Sequence, residues 1–589
     1  MKTRILLPLA ALAAGSAVAA DSADTLVVTA TRIAQTTDQT LVPVSVLTRD
    51  QIERSPATTL PELLGQLPGV DFSVSGGHGK TASLFLRGTN SNHTLVLIDG
   101  VRVGSATLGS FPFEQIPLAQ IERIELVRGP RSSLYGAEAI GGVIQIFTRK
   151  GGQGTHASAR IGAGSHGTRD LQTGASWGDE TTQASVNLGY FDTDGVDALD
   201  GVNPDDDGYS NSSLGLNLRQ QLGRTTYADM SLLRAESENH YDSQAAPADD
   251  YSDNLQQTLG LRVTSELSDQ LSLNGGINEH RDESENFDAF PSTIKTQRRG
   301  ADLKGDYYLN DDHLLSLGVD FYRDEVSKTG GNYDRTERDN RALFAQWQGQ
   351  YGKLNLLAGV RHDDNEAYGH HSTGNLNLGY RVAPDHRLLA SVGTGFKAPT
   401  FNQLYWPGFG NPNLKPEEST SYELGYEGRA KQTTYALRAF HTQVDNLISS
   451  QPDNQQARIR GLEVELTGEF AGWQAAANAT LLDAIDRDDG SRLKNRAERS
   501  LKVELGRRYS EIDWLLTLLA QGDRDTSSGT LAGYGLLNLK ARYAIDAHWG
   551  LEAKVNNLTG KDYTTNADFL GRSYSGLDRS YLLSLVYQR

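Results

Sequence analysis

From residue 151 to the end, apolar and polar residues alternate one for one in run after run. Leu214, Leu216 and Leu218 alternate with Gly215, Asn217 and Arg219. Leu462, Val464 and Leu466 alternate with Glu463, Glu465 and Thr467, and Leu551, Ala553 and Val555 with Glu552, Lys554 and Asn556. Period two gives a strand one apolar and one polar face. Such strands build a soluble sandwich or a membrane barrel. Charges such as Glu463 and Glu465 on the polar face suit a wet lumen better than a dry core. The long acidic segments at 192–209 and 237–253 exceed ordinary sandwich turns. Some 440 residues, at roughly 20 per strand and connection, give about 22 strands, each crossing with about 10 residues. Beyond residue 20 there is no run of about 18 apolar residues, so helices do not make the crossing.

Residues 41–150 follow a different grammar. Residues 42–47 (VPVSVL) read as a strand, and Thr48 with Gln51 as a helix cap. Residues 60–67 (LPELLGQL) have helical spacing that stops at Pro68-Gly69. Residues 83–86, 94–98, 121–127 and 141–146 read as strands, with turns at Asp99-Gly100 and Arg128-Gly129-Pro130. A barrel of about 22 strands encloses a lumen that needs a plug. The expected fold is therefore an all-β transmembrane barrel of about 22 antiparallel strands (151–589), with an N-terminal α/β plug domain (41–150) inside the lumen.

The first 20 residues have a secretory layout: Lys2 and Arg4, an apolar run at 5–14, then Ala17-Val18-Ala19. Residues 24–30, DTLVVTA, follow at once. Leu26, Val27, Val28 and Thr29 are β-prone, but a strand this short does not hold alone. It is either an edge strand of the next domain or a detachable strand kept for a partner. The chain has no cysteine, so neither disulfides nor thiolate chemistry enter. A net charge of −18 argues against nucleic acid as a partner.

Gly162-x-Gly164-x-x-Gly167 fits a dinucleotide fingerprint formally but sits among strands and turns. No HExxH or P-loop is present, and His370-His371 reads as loop. The expectation is no enzyme.

Six runs, in order, carry a resemblance. They are LPGVDF (67–72), LRGTNSNHTLVLIDGVRV (86–103), IERIELVRGPRSSLYGAEAIGGVIQIFTR (121–149), FKAPTFNQLYWPGFGNPNLKPEES (396–419), RIRGLEVE (458–465) and VNNLTGKDY (555–563). The chain resembles the TonB-dependent outer-membrane receptors over nearly its whole length, and among them the receptors for cobalamin (vitamin B12). The resemblance implies a monomer in outer-membrane lipid, with a periplasmic N-terminus and active uptake of cobalamin powered by the partner TonB. A ferric siderophore or haem is the rival cargo. A passive porin-like channel is the rival of another class.

The resemblance further implies site residues. Asp24, Thr25, Leu26, Val27, Val28, Thr29 and Ala30 match the TonB box. Ser83 and Asn90 match cobalamin-contacting positions, and Leu108 and Gly109 lie near a third such loop. A cobalamin-contacting arginine falls near Asn495 or Arg496. Calcium is expected on two acidic loops, with Asp197, Asn203, Asp205 and Asp207 on one. Tyr241 and Asp242 stand on the other, with either Asp249 or Asp250. Calcium takes six to eight oxygens, and loops this acidic repel themselves without a cation. Arg87, Arg128 and Arg131 either fold the plug or tie it to carboxylates of the barrel wall.

The closing strand shows one departure. Tyr587 keeps the parity of Tyr581, Leu583 and Leu585, but Gln588 and Arg589 follow it, which reads as a short overhang.

Overall fold

The computed structural model describes residues 27–28, 32, 35–36, 39–242, 250–329, 333–448 and 453–589. Twenty-two antiparallel strands, from Gly154–Gly164 to Ser580–Gln588, form one closed barrel, the last pairing with the first. Alternation sets the two faces. Leu462 and Val464 point out toward lipid, while Glu463 between them is completely buried from the lumen side. Arg589 exchanges both backbone hydrogen bonds with Ala157 (3.1 and 2.9 Å). The chain end is thus part of the seam and leaves no overhang.

The strands are longer than a bilayer crossing requires. Ser292–Asn310 has 19 residues and Tyr251–Ser268 has 18. Both ends of the segment read as a loop at 192–209 belong to the strands Thr182–Val196 and Asp207–Gln221. Above the bilayer both faces of a strand are polar, so the apolar period fades while the ladder continues.

One barrel end carries short turns such as 269–270, 352–353 and 431–432. The other carries long connections such as 398–416, 487–498 and 557–579. Gly162 lies in the first strand. Ser176 has a Gly-x-Ser-x-Gly setting but lies inside the strand Arg169–Gly178, with no helix behind it. Neither motif has the context its chemistry needs.

The plug fills the lumen. Its five-stranded sheet runs in the order Val44–Leu47, Ile121–Arg128, Gly142–Thr148, Thr94–Ile98, Val101–Val103, with one parallel pair. The helix Arg49–Arg54 starts at Thr48, whose hydroxyl and the Gln51 side chain form a capping box. The helix Leu60–Leu64 buries Leu60, Leu63 and Leu64 against Ile124, Leu126, Ile144 and Ile146. A separate hairpin, Val70–Val74 with Ala82–Leu86, points toward the long-loop end. Within 24–30, Val27–Val28 pairs antiparallel with Gln35–Thr36 and does not join the plug sheet. The rest of that run lies outside the described residues.

Val464 stands centrally in the outward stripe between Leu462 and Leu466. Val464→Arg should destabilise the barrel in a bilayer by about 2–4 kcal/mol, read from denaturant unfolding in liposomes.

Candidate functional site

Three plug loops reach the long-loop end. The first, 75–81, turns on Gly76 and Gly79, both at positive φ, and a Cβ on Gly79 would strike the Tyr209 ring at 2.0 Å. The second, 87–93, begins with Arg87 and Gly88 at positive φ and ends in a 3-10 turn, Ser91–His93. The third, 104–111, is pinned from below by Gly104 N–H donating to His280 (3.1 Å) and Ala106 N–H to Thr296 (3.2 Å). From the barrel loop, Phe401 and Asn402 N–H groups donate to the Ala106 and Thr107 carbonyls, each at 3.2 Å.

The predicted ligand contacts sit on or next to these apices. Ser83 is half-buried opposite Ser73 at the root of the first loop. Leu108 is 61% exposed at the tip of the third, and Gly109 has φ +78° with Lys397 and Thr400 pressed close. Asn90 meets Arg496: the guanidinium donates to Asn90 Oδ1 and to the Gly88 carbonyl (2.7 Å), and stacks 4.6 Å over Phe85. Of the two positions the sequence left open, Arg496 is the one that reaches the plug. Asn495 turns away, its N–H on the Asp525 carbonyl.

The acidic loops converge. Carboxylate oxygens of Asp197, Asp207 and Asp242 lie within 4.8 Å of one another. Two backbone donors face them, Ala198 N–H to Asp207 (2.8 Å) and Leu199 N–H to Asp242 (3.1 Å), while Asp197 Oδ1 is buried with no partner among the described residues. Burial, then the neighbouring Asp207, pushes the Asp242 carboxyl up to about 7, and the same causes raise Asp197. The donor set is hard oxygen with an unsatisfied atom, which fits a divalent cation such as calcium. Asp205 adds its charge from the exposed side. Tyr241 gives its hydroxyl to Asp288 (3.1 Å), and its N–H donates to the Asp250 carbonyl (2.9 Å). Among the described residues Asn203 makes no hydrogen bond to the cluster, and Asp249 lies outside them.

Lys80, which sequence reasoning missed, brings the plug to this cluster. Its ammonium donates to the Asp207 carbonyl (3.0 Å) and to Asn239 Oδ1 (2.9 Å). Burial lowers its pKa to about 8, against the pull of Asp207 and Asp242.

Charge also fastens the plug to the wall. Arg87 donates to both Glu463 oxygens (2.9 and 2.7 Å) and to Glu423 (2.6 Å). Arg128 donates to Glu463 (3.2 Å) and Glu465 (2.8 Å). Arg131 departs from the expected pairing. It is buried, its Nε has no partner among the described residues, and burial lowers its pKa to about 10. A further tie lies upstream of the plug. Arg32 donates to both Asp320 oxygens (3.1 and 3.3 Å) and stacks on Tyr135 (4.6 Å) and Phe344 (4.8 Å). Its signal in the sequence was only its place, two residues past 24–30.

Comparisons with known proteins agree with this architecture. Residues 165–558 match the family described as TonB dependent receptor-like, beta-barrel, and residues 36–143 match the TonB-dependent Receptor Plug Domain. The chain is 34% identical to a Photobacterium profundum protein named Vitamin B12 transporter BtuB, covering 100% of each. A Vibrio cholerae protein of that name is 34% identical over 96% of this chain and 95% of its own. Among solved structures, a mutant of the ferric enterobactin receptor PfeA from Pseudomonas aeruginosa gives a TM-score of 0.80 at 19% identity, over 93% of this chain and 98% of its own. The siderophore receptor PiuA from Acinetobacter baumannii gives 0.80 at 15%, over 94% and 98%. At such identities the structures speak for the fold alone.

Arg87→Ala strips Glu423 of its nearest cation, with Arg438 remaining 4.0 Å away, and leaves Arg128 as the ion-pair partner of Glu463 among the described residues. Orphaning buried charge should loosen the plug by about 3–5 kcal/mol, read as earlier denaturant exposure of a plug-specific label while the barrel stays folded.

Proposed function

Because the chain belongs to the TonB-dependent receptors, outer-membrane transporters and not enzymes, we propose that its cargo is cobalamin and that residues 24–30 are where TonB takes hold. The observation that carries the cargo is the full-length likeness to proteins named vitamin B12 transporters. Site chemistry points the same way. The outward plug positions Ser83, Asn90, Leu108 and Gly109 are neutral, and neutral donors and acceptors beside an apolar tip suit a corrin ringed by amide side chains. A ferric catecholate is an anion and wants free cations. The cations at hand are committed: Arg496 is engaged by the Gly88 and Lys494 carbonyls and Asn90, and the buried Lys397 beside Gly109 donates to the Ala398 carbonyl (3.2 Å).

Calcium would supply the positive charge that lets the carboxylates of both loops converge, ordering the outer surface before cargo arrives. Asp197, Asp207 and Asp242 are the core of the proposed set, with Asn203, Asp205 and one of Asp249 and Asp250 around them. Tyr241, its hydroxyl committed to Asp288, has its carbonyl oxygen to give.

Energy enters at the other end. Val27–Val28 holds Gln35–Thr36 through a ladder two residues long, which opens at little cost. The freed strand then adds to a sheet of TonB: backbone bonds give affinity and alternate side chains give specificity. A pull on it meets Arg32–Asp320 first, then the plug. The plug's charged seats exchange for water more readily than an apolar seat would. The plug filling the lumen argues against a passive channel.

Purified receptor should bind cyanocobalamin in preference to a ferric siderophore, and only with calcium present. Asp242→Asn should weaken that calcium dependence at least about tenfold. Tighter binding of the siderophore would overturn the cargo. Val28→Pro removes a ladder donor and restricts φ. Cobalamin binding should persist in it while energised uptake is lost, and undiminished uptake would return 24–30 to an ordinary edge strand.

A further inference from the structure

The pair His370-His371, which reads as loop in the sequence, lies on the strand Gly369–Ala383, so its two rings take opposite faces. His371 stacks on the buried Phe396, with centroids 4.4 Å apart. His370 turns to the outer surface and meets His362 of the adjoining strand Leu354–Asn365. Their rings are stacked, with 16° between planes and 5.6 Å between centroids. Asp364 stands directly across from His370, and Ser372 across from His362. The four residues make one patch just past the outward apolar positions Ala358 and Val360, where the lipid-facing band ends.

Each ring is already oriented through its Nδ1. In His370 this nitrogen is 3.2 Å from Asp364 Oδ1, and in His362 it is 2.9 Å from Ser372 Oγ. Among the described residues, no protein group has a recorded contact with either Nε2. A ring nitrogen fixed by a carboxylate or hydroxyl while the other stays open is the arrangement that metal-binding histidines show.

We propose that His362 and His370 form a surface site for a borderline first-row divalent cation, of the class of zinc, nickel or copper. Asp364 and Ser372 orient the rings and water completes the coordination. The spacing allows it once the rings turn so that both Nε2 lone pairs converge, since an ion lies in the plane of each ring: with metal–nitrogen bonds of about 2.0–2.1 Å it stands about 3.2 Å from a ring centre, so two rings sharing one have centres up to about 6.4 Å apart. Imidazole nitrogen favours these metals over calcium, which wants a cage of oxygens. Arg341, paired across from Asp364 on the next strand, balances that carboxylate and keeps the patch from becoming a hard-cation site. The ion would clamp two strands whose inner faces hold the plug, since Arg361 donates from this hairpin to the Leu134 carbonyl (3.2 Å).

The test is calorimetric titration of zinc into the full-length receptor, purified in detergent and saturated with calcium. One zinc should bind per chain. His362→Ala and His370→Ala should each weaken it by about 100-fold and Asp364→Asn by about tenfold, while His371→Ala and Asp242→Asn leave it unchanged. All these side chains but His371 and Asp242 lie on the exposed outer face, and unaltered heat-modifiable gel migration verifies the fold of every variant. Three results would overturn the site: no wild-type binding at millimolar zinc, binding that survives loss of either His362 or His370, or binding only in vesicles containing lipopolysaccharide, which assigns the ion to lipid phosphates.

Discussion

A strand that crosses a bilayer must find a partner for every backbone N–H and C=O, because hydrocarbon offers none. Here that requirement is met by closure, with Ser580–Gln588 paired to Gly154–Gly164 and Arg589 bonded to Ala157. The remaining architecture follows from the closed ring. Twenty-two strands enclose a lumen wide enough to leak, so a folded domain occupies it. The wall that domain meets is the polar face of the strands, because the apolar face is already committed to lipid.

A polar wall dictates a polar seat. Arg87 and Arg128 meet Glu423, Glu463 and Glu465, and Arg32 meets Asp320. The plug's own core, built on Leu60, Leu64, Ile124 and Ile144, stays apolar and internal. Cohesion within the plug and attachment of the plug thus rest on different forces. An apolar core resists unfolding as a unit, whereas charged contacts can be handed to water or to other partners one at a time. That division would let the domain shift without dissolving. The outer end uses the same device with the opposite sign, since three carboxylates packed together are unfavourable until a cation joins them.

Much of this was legible before the structure. Period-two alternation set the parity of Glu463 against Val464, charges on the polar face and long acidic segments favoured a barrel over a sandwich, and chain length supplied the approximate strand number. The capping box at Thr48 and Gln51 was visible as a local pattern. The long acidic segments were misread as loops over part of their length, because strand and loop look alike once both faces are wet. Arg131 was grouped with Arg87 and Arg128 on type and proximity, yet among the described residues its Nε has no partner and Glu423 reaches it only through its charge. All three arginines border one cavity with Glu423, so sharing a cavity does not fix which guanidinium bonds the carboxylate. His370-His371 was read as loop and lies on a strand instead, where adjacent residues face apart.

The sequence by itself determined which residues face lipid and which face the lumen, because side-chain parity is a property of neighbours along one strand. Only the tertiary structure decided which residues meet. Arg87 finds Glu463 across 376 positions and Arg496 finds Asn90 across 406. Asp197, Asp207 and Asp242 come together from two loops, and His362 comes beside His370. Those meetings depend on the stagger of each strand against the next and on how deep the plug sits. Both are set by ring closure over the whole chain, and no stretch of sequence contains them.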